Sequence, residues 1–512
     1  MTIDLCPLIS SFLQGGDAHW LLGTPMFMLC FVAFYVGYVF LSETRRYAMM
    51  SYVLAFNLFF AYKASLSLAI LLPIVTVVSW TLTRFLSRSV RHRRLWLVAT
   101  VGLELLPLLW YKFSAPLAIL CGFDSATWSV AAAGWGIPVG IGFFTLQAVS
   151  YTVDVWRGTF RLRTDLCEYA FYLTFFPLLL AGPITRAGVL IPQLKQRVGW
   201  DKEWIYGGLF LLLLGLVKKA AANYLAIFND WVFDTPAAFS GFENLVAVLG
   251  YTIQIFLDFS AYSDLSIGLA AMMGLKLPDN FENPYRSRSL TEFWHRWHIS
   301  LSSWLRDYVY IPLGGNRRGK LRTCLNCLLT MWVAGLWHGV SWMFFAWGTL
   351  HGVGLIVQKL FSRSLNGHSA LSRKTAWKSA GVGQGRTESP TLSRKTAWRS
   401  VVAWLLTFLF LMVSWFLFRA PDADSAWAMV KQVFTAFDFS MLLPFVTARP
   451  LWVLLCVGSL LSVFVGHASF VRLKSRFIRL PWWAKLLCGL LVWQCVQQLG
   501  GNELSPFIYM QF

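Results

Sequence analysis

One uncharged stretch of 36 residues, Thr323 to Gln358, constrains this 512-residue chain more than any other feature. It contains no Lys, Arg, Asp or Glu, yet it includes His338 and His351. A helix crosses the hydrocarbon core of a bilayer with about 20 apolar residues, so this stretch is too long for a single span. It therefore predicts a helix pair or a broken helix.

His338 has an unusual place within that stretch. If a helix begins near Thr323, His338 lies about 22 Å along it, inside a hydrocarbon core about 30 Å thick. An ionisable ring at that depth is costly unless it has a polar partner or faces a water-filled cavity. His338 is therefore a candidate for a functional site, with a contact that merely tethers two helices as the alternative.

The whole chain has the composition of an integral membrane protein. Hydrophobic residues make up 57% of it and charged residues only 13%, whereas ordinary soluble domains carry about 25% charged residues. Backbone groups in lipid are satisfied only in helices or in a closed barrel, and long uninterrupted apolar runs lack the alternation of barrel strands. We therefore predict an all-α integral membrane fold.

Twelve apolar runs suggest a multi-pass helical bundle with about 11–13 membrane-embedded helices. The run 244–275 is interrupted by Asp258 and Asp264, and the run 323–358 holds two elements. The runs cover residues 24–42, 47–62, 66–83, 95–111, 137–153, 169–191, 204–227, 244–275, 323–358, 401–418, 449–469 and 482–500.

Basic residues are concentrated in the connections between these runs. Residues 84–94 hold five arginines and no acid, and residues 359–400 hold nine Lys or Arg against Glu388. The positive-inside rule assigns both segments to the cytoplasm. The net charge of +20 is thus explained by membrane lipids with anionic headgroups, and we expect no nucleic-acid partner.

The second basic segment also contains a repeat, since LSRKTAWKS at 371–379 recurs as LSRKTAWRS at 392–400. One duplication does not make a stacked repeat architecture, which needs at least three units. We interpret 359–400 as a flexible basic cytoplasmic loop.

A polar and aromatic segment, residues 282–320, directly precedes the uncharged stretch. It contains His295 and His298, which would share one helix face at this spacing, together with Arg306 and Asp307. A zinc site would need further Asp, Glu, His or Cys ligands, and none follows at a suitable spacing. We therefore predict no metal site.

Two function classes fit a histidine site in a multi-pass protein. One is an acyl or glycosyl transfer enzyme with a catalytic imidazole beside an orienting group. The other is a proton-coupled transporter with a relay of His and Asp residues. Transporters usually show two corresponding halves, and the His-rich segment has no second copy, so an enzyme is favoured while the transporter stays open.

Two adjacent motifs carry a family resemblance, FWHRWHISLSSWLRDYVYIPLGGNRRG and GLWHGVSWMFFAWGTLHG. Further motifs support it, namely IPVGIGFFTLQAVSYTVDVWRG (137–158), FYLTFFPLLLAGPITRAGVLIPQL (171–194), LDFSAYSDLSIGLAAMMGLKLPDNFENPYRS (257–287) and SPFIYMQF (505–512). Together they resemble the membrane-bound O-acyltransferase superfamily, in particular its bacterial alginate O-acetyltransferase branch. The resemblance covers residues 25–360 well and the remainder loosely.

The resemblance implies a multi-pass acyltransferase with a central catalytic cavity or tunnel. The two family histidines fall on His298, in RWHISLS, and His338, in LWHG. His338 would be the general base that activates an acceptor hydroxyl for attack on an acyl thioester, and His298 would orient the donor or assist proton transfer. An imidazole suits this role because it titrates near neutral pH. His295 matches no family histidine and is interpreted as structural or interfacial, and His351 as packing.

The family pattern also implies the domains. Residues 1–358 would form the catalytic core, 359–400 the basic repeat-containing cytoplasmic loop, and 401–512 C-terminal transmembrane helices of the same bundle. Asp258, Asp264, Arg306 and Asp307 would tie the bundle together or shape the site.

The resemblance further implies the substrates. The donor would be acetyl-coenzyme A or another acyl thioester from the cytoplasm, with no bound cofactor, and the acceptor an extracytoplasmic polysaccharide such as alginate or peptidoglycan. A separate extracytoplasmic SGNH-type acetyltransferase would act with the chain, which would lie in the cell inner membrane. The alternatives are transfer of D-alanyl or another acyl group from a carrier-protein thioester, and the proton-coupled transporter.

Overall fold

The computed structural model describes residues 22–42, 46–122, 138–160, 164–196, 201–365 and 394–499. Across these ranges every regular element is helical, which confirms the all-α prediction. The α-helices are α1 Pro25–Ser42, α2 Arg46–Ala64, α3 Leu66–Arg88, α4 Arg93–Leu120, α5 Ile141–Arg157, α6 Leu166–Thr174, α7 Phe176–Leu179, α8 Ala187–Leu190, α9 Lys202–Asp234, α10 Gly241–Met272, α11 Leu290–Arg296, α12 Ile299–Leu305, α13 Gly319–His338, α14 Trp342–Leu365, α15 Arg394–Arg419, α16 Ala423–Thr435, α17 Leu442–Ala448, α18 Pro450–Ser462, α19 His467–Arg479 and α20 Trp482–Leu499.

Six of the described helices are long and apolar enough to cross a membrane, and eight if two bent helix pairs each count as one span. The six spans are Pro25–Ser42, Leu66–Arg88, Arg93–Ile119, Lys202–Asp234, Gly241–Met272 and Trp398–Arg419. They make the chain a multi-pass membrane protein. The total of 11–13 embedded helices stays a prediction, because length and composition do not place the shorter or more polar helices.

Outward-facing apolar side chains support this assignment. Phe40 is 76% exposed, Leu103 47% and Leu406 63%. Exposed apolar surface on this scale is costly in water and is stabilised by contact with lipid chains or a partner. The helices thus present an apolar outer surface around a buried core.

The prediction of one span over 169–191 was wrong. The structure divides this run into α6, α7 and α8 with an irregular segment between α7 and α8. Pro177 and Pro183 lack the backbone N–H that a continuous helix needs at these positions. Residues 171–185 are all buried, so this run is apolar because it packs inside the protein.

The run 244–275, although interrupted by two aspartates, forms one helix, α10, from Gly241 to Met272. Its two carboxylates pair with lysines of α9, Asp258 with Lys219 and Asp264 with Lys218, each at 2.6 Å. Asp264, which lies further along α10 than Asp258, pairs with Lys218, the earlier of the two lysines on α9. The two helices therefore run antiparallel. The predicted bundle-tying role of these aspartates agrees with this arrangement.

The stretch 323–358 forms the predicted helix pair, α13 and α14, joined by a short turn at 339–341. Trp332 on α13 donates to the Thr349 hydroxyl on α14 at 2.8 Å and stacks on Phe345. Helix α13 begins at Gly319, four residues earlier than assumed, so His338 is its last residue, about 28 Å from its start. His338 therefore lies at a helix end beside a turn.

The predicted loop 359–400 is helical at both ends, because α14 continues to Leu365 and α15 begins at Arg394. Residues 366–393, with the first copy of the repeat, lie outside the described residues. The division into three domains stays a prediction.

The basic segment 84–94 lies at the start of α4, and the end of α13 with His338 packs about two-thirds of the way along that helix. Arg93, the first residue of this helix, donates to the backbone carbonyl of Trp156 near the end of α5. Lys112, 19 residues further along α4, contacts the end of α13. At 1.5 Å per residue the two points are about 28 Å apart, which is close to the thickness of a hydrocarbon core.

Candidate active site

His338 is buried in an aromatic environment at the end of α13, with 6% of its surface exposed. Its ring makes edge contacts with Trp347 of α14, at a centroid distance of 5.2 Å, and with Phe418 of α15, at 5.1 Å. Trp337 lies at 4.9 Å. Three helices thus hold the imidazole from several sides, and such packing restricts the orientation of its ring.

A cavity of about 270 Å³ borders His338. The later half of α4, the start of α5 and the turn after α13 meet around it. Its lining residues are Tyr111, Lys112, Pro138, Val139, Gly140, Ile141, Gly142, Phe143, Leu180, Trp337, His338, Gly339 and Val340. The family resemblance implies a cavity, and this one borders the histidine that the resemblance assigns as general base.

Gly140 permits the tight approach of α5 to the cavity wall. It has a φ of +75°, and a Cβ there would lie 1.7 Å from the carbonyl oxygen of Leu179. Only glycine combines this left-handed backbone with such close contact at low cost. Two residues on, the carbonyl of Gly142 accepts a 3.3 Å hydrogen bond from the Trp337 indole.

His298 occupies a special backbone position, the N-cap of α12 with a φ of 43°. Left-handed backbone at a non-glycine residue costs about 1–3 kcal/mol and is concentrated at functional sites. The side chain is buried, and its Nδ1 lies 3.1 Å from Oδ1 of Asn280. That oxygen also accepts from the backbone N–H of Ser300 at 3.2 Å.

These contacts fix the tautomer of a neutral His298. A backbone N–H can only donate, so the Asn280 oxygen is an acceptor and Nδ1 must carry the proton facing it. The other nitrogen, Nε2, then has a free lone pair. It is buried and has no hydrogen-bond partner among the described residues. This nitrogen can accept a proton or a hydrogen bond from a substrate.

The two family histidines are brought close together across aromatic side chains. The Trp337 ring lies 6.2 Å from the His298 ring and 4.9 Å from the His338 ring, centroid to centroid. Phe143, which lines the cavity, lies 6.4 Å from His298. Two residues 40 positions apart in sequence therefore belong to one cluster.

The remaining histidines of the two motifs have other environments. His351 is fully buried, and its Nε2 lies 2.6 Å from the hydroxyl of Ser414 on α15, which agrees with a packing role. His295 is exposed and contacts the carbonyl of Thr291 at 2.5 Å. The expectation that His295 and His298 share a helix face was wrong, because α11 ends at Arg296 and the backbone turns before His298.

Metal ligation finds no support in the described part of the chain, where no three His, Cys, Asp or Glu side chains are grouped to hold an ion.

Two polar residues of the site were not predicted, Lys112 and Asn280. Lys112 directly follows the apolar run 95–111, and its charge ends that run. A lysine within a membrane helix is itself a signal for a functional site, and α4 continues to Leu120. Asn280 lies in an irregular segment after α10, and nothing in its sequence context indicates that it faces His298.

Comparison with known proteins identifies the family. The model of the MBOAT, membrane-bound O-acyltransferase, family matches residues 143–378, which include both clustered histidines. The chain is 30% identical over 530 residues to a probable alginate O-acetylase AlgI of Azotobacter vinelandii, covering 95% of this chain and 99% of the relative. The chain belongs to the membrane-bound O-acyltransferase family.

Two further relatives help to identify the branch of the membrane-bound O-acyltransferases to which this chain is similar. A peptidoglycan O-acetyltransferase of Helicobacter pylori is 32% identical, covering 58% of this chain and 56% of the relative. A teichoic acid D-alanyltransferase of Bacillus subtilis is 28% identical, covering 44% of this chain and 60% of the relative. Near full-length similarity to the first relative places the chain in the alginate O-acetyltransferase-like branch.

Membership in the membrane-bound O-acyltransferase family makes the chain an O-acyltransferase enzyme. The transporter alternative is thereby set aside. The multi-pass membrane location is confirmed, and it agrees with the cell inner membrane expected from the resemblance.

Proposed function

We propose that this O-acyltransferase takes an acetyl group from acetyl-coenzyme A at the cytoplasmic face of the inner membrane and delivers it for O-acetylation of an extracytoplasmic polysaccharide. The main support is the position of His338, in a cavity that α4 borders at Tyr111 and Lys112, about 28 Å from the basic segment 84–94 at the start of that helix. With that segment in the cytoplasm, the cavity lies in the extracytoplasmic half.

The proposed chemistry assigns His338 as general base. It takes the proton of an acceptor hydroxyl while the oxygen attacks the acyl carbonyl carbon, and it returns the proton to the departing thiolate. A well-placed base of this kind typically contributes about 10²–10⁴ in rate. His298, with its Nε2 lone pair, orients the donor or assists the proton transfer.

The size of the cavity fits the reacting groups rather than a whole donor. Pockets that bury drug-sized molecules measure about 300–1,000 Å³, and this cavity measures about 270 Å³. That volume suits an acetyl group with the attacking hydroxyl. The nucleotide part of the donor would therefore stay nearer the cytoplasmic ends of the helices, where basic side chains attract anions.

An acetyl group is favoured over D-alanine by the extent of similarity. The probable alginate O-acetylase matches 95% of this chain, and the D-alanyltransferase 44%. We propose alginate or peptidoglycan as the class of acceptor. A separate SGNH-type acetyltransferase would complete the transfer on the outer side.

Mass analysis of surface polysaccharide tests the proposal. A deletion strain is complemented with the wild-type chain, with His338→Ala and with His295→Ala, an exposed histidine outside the cluster. We expect acetyl esters with the wild type and His295→Ala and none with His338→Ala, at equal amounts of chain in the membrane. Retained acetylation with His338→Ala would refute the role of His338. Esters with the mass of D-alanine would refute the acetyl donor.

A further inference from the structure

Lys112 is a half-buried lysine that the roles of His338 and His298 leave unexplained. Its ammonium donates to the backbone carbonyls of Trp337, at 2.6 Å, and His338, at 2.8 Å. These are the last two residues of α13, whose final four carbonyls have no partner within the helix. A cation at a helix C-terminus also interacts favourably with the helix dipole. Lys112 thus fixes the helix end that carries His338.

The ammonium has bonding capacity left after these two contacts. A lysine has three N–H donors, and among the described residues only the two carbonyls accept from Lys112. The same side chain lines the cavity beside His338. The third N–H is therefore available to a group that enters the cavity.

The charge of Lys112 also has no counter-ion in the described part of the chain. The one carboxylate of its own helix, Glu104, is buried and bonds instead to the hydroxyls of Ser79 and Thr152, at 2.5 and 2.6 Å. Partial burial of a charge without a counter-ion is costly. An arriving negative charge would relieve that cost.

We propose that Lys112 is the oxyanion-stabilising residue of the acyl transfer and also positions His338. The inference rests on the proposed function. The acceptor oxygen forms a bond to the acyl carbonyl carbon, its proton moves to His338, and the carbonyl electron pair moves onto the oxygen that faces Lys112. Return of that pair breaks the carbon–sulfur bond, the thiolate takes the proton from His338, and an ester and a free thiol result.

The cavity offers no second cationic group among its lining residues. Lys112 is the single Lys or Arg there, and the Trp337 indole N–H already donates to Gly142. Donors held in place where charge develops are effective because they need no reorganisation in the transition state. The two helix-end carbonyls hold the Lys112 ammonium in this way.

The test uses inner-membrane vesicles of the native host, which contain any partner, supplied with radiolabelled acetyl-coenzyme A. Incorporation into polymer is measured per amount of folded chain for the wild type, Lys112→Met and Lys112→Arg. Lys485→Met is the matched control, because Lys485 is a buried lysine that donates to the carbonyl of Leu480 at the end of α19.

We expect Lys112→Met to lower kcat by about 10²–10³, the usual effect of losing one oxyanion donor, with little change in KM for the donor. Lys112→Arg keeps the charge and should retain more activity than Lys112→Met. In Lys112→Ala, added ethylammonium should restore turnover with rising concentration, which loss of a purely structural contact would not allow. Lys485→Met should keep the wild-type kcat.

Wild-type kcat in Lys112→Met, or a raised KM at unchanged kcat, would overturn the inference. If Lys112→Met does not accumulate in the membrane, Lys112→Gln is measured instead. Glutamine keeps N–H donors for the two carbonyls but removes the charge. Wild-type turnover by Lys112→Gln would also overturn the inference. Vesicles in which the wild type transfers no acetyl group overturn the proposed function itself. An active wild type with an inactive His338→Ala and a fully active Lys112→Met overturns the oxyanion role alone.

Discussion

The Nδ1 of His298 lies 3.1 Å from Oδ1 of Asn280, an oxygen that the backbone N–H of Ser300 identifies as an acceptor. The contact holds the proton of neutral His298 on Nδ1 and leaves Nε2 as the basic nitrogen. A site that depends on one tautomer of a histidine should depend on the residue that selects it.

Asn280→Leu should therefore reduce acetyl transfer by about 10-fold or more, because it removes the acceptor while the histidine stays in place. Turnover per folded molecule is the measurement. Ser263→Ala is the matched control, since Ser263 accepts from the amide nitrogen of Asn280 at 3.1 Å, whereas His298 contacts the amide oxygen. Equal losses in both variants would mean that Asn280 acts through packing alone.

Gly140→Ala should strongly reduce both the amount of folded protein and its activity. The left-handed backbone alone costs an L-residue about 1–2 kcal/mol, and the added Cβ would lie 1.7 Å from a backbone carbonyl oxygen. Gly158→Ala at the other end of α5 is the control, because Gly158 has the same φ of +75° and open space around it. Membrane accumulation and thermal unfolding in detergent measure the difference; similar behaviour of the two variants would contradict the close approach.

The helix pair at 323–358 could be predicted because its determinants are local. An uncharged run longer than one span, with a Gly-Val-Ser turn in its middle, has few alternatives in a membrane. The break within 169–191 could not be read from hydropathy, since apolar residues buried in protein and apolar residues facing lipid score alike. Pro177 and Pro183 were the available signal.

The site was predictable to a smaller extent. Family resemblance identified His298 and His338, but their proximity across Trp337 depends on packing between helices that are distant in sequence. Lys112 could not be assigned to the site because a charged residue usually marks the end of an apolar span, whereas α4 continues past it to Leu120. The Asn280 contact depends on the left-handed turn at His298, and no local pattern indicates such a turn at a histidine.

Ser414→Ala should destabilise the fold without slowing the chemistry. It removes the hydroxyl at 2.6 Å from the fully buried His351, and a buried polar atom left without its partner costs about 1–3 kcal/mol. We expect a lower Tm with unchanged turnover per folded molecule. Ser462→Ala, at an exposed serine that bonds to the Ser459 carbonyl, should leave Tm unchanged. A large fall in turnover for Ser414→Ala would assign His351 to the catalytic cluster instead of packing.

Two neighbouring lysines of α9 allow a direct comparison of burial. Lys219 and Asp258 are 4% and 3% exposed, whereas Lys218 and Asp264 are 24% and 19% exposed, and both pairs are 2.6 Å apart. Lys219→Met leaves a carboxylate buried without its cation, which costs about 3–5 kcal/mol. Lys218→Met leaves a carboxylate that is less completely buried, so its cost should be smaller than that of Lys219→Met. We therefore expect thermal unfolding in detergent to show a much lower Tm for Lys219→Met than for Lys218→Met.

The double variant Lys219→Met with Asp258→Leu should recover most of the loss in Tm, because it also removes the carboxylate that lost its lysine. Equal Tm values for the two single variants would contradict the view that the buried pair holds α9 against α10.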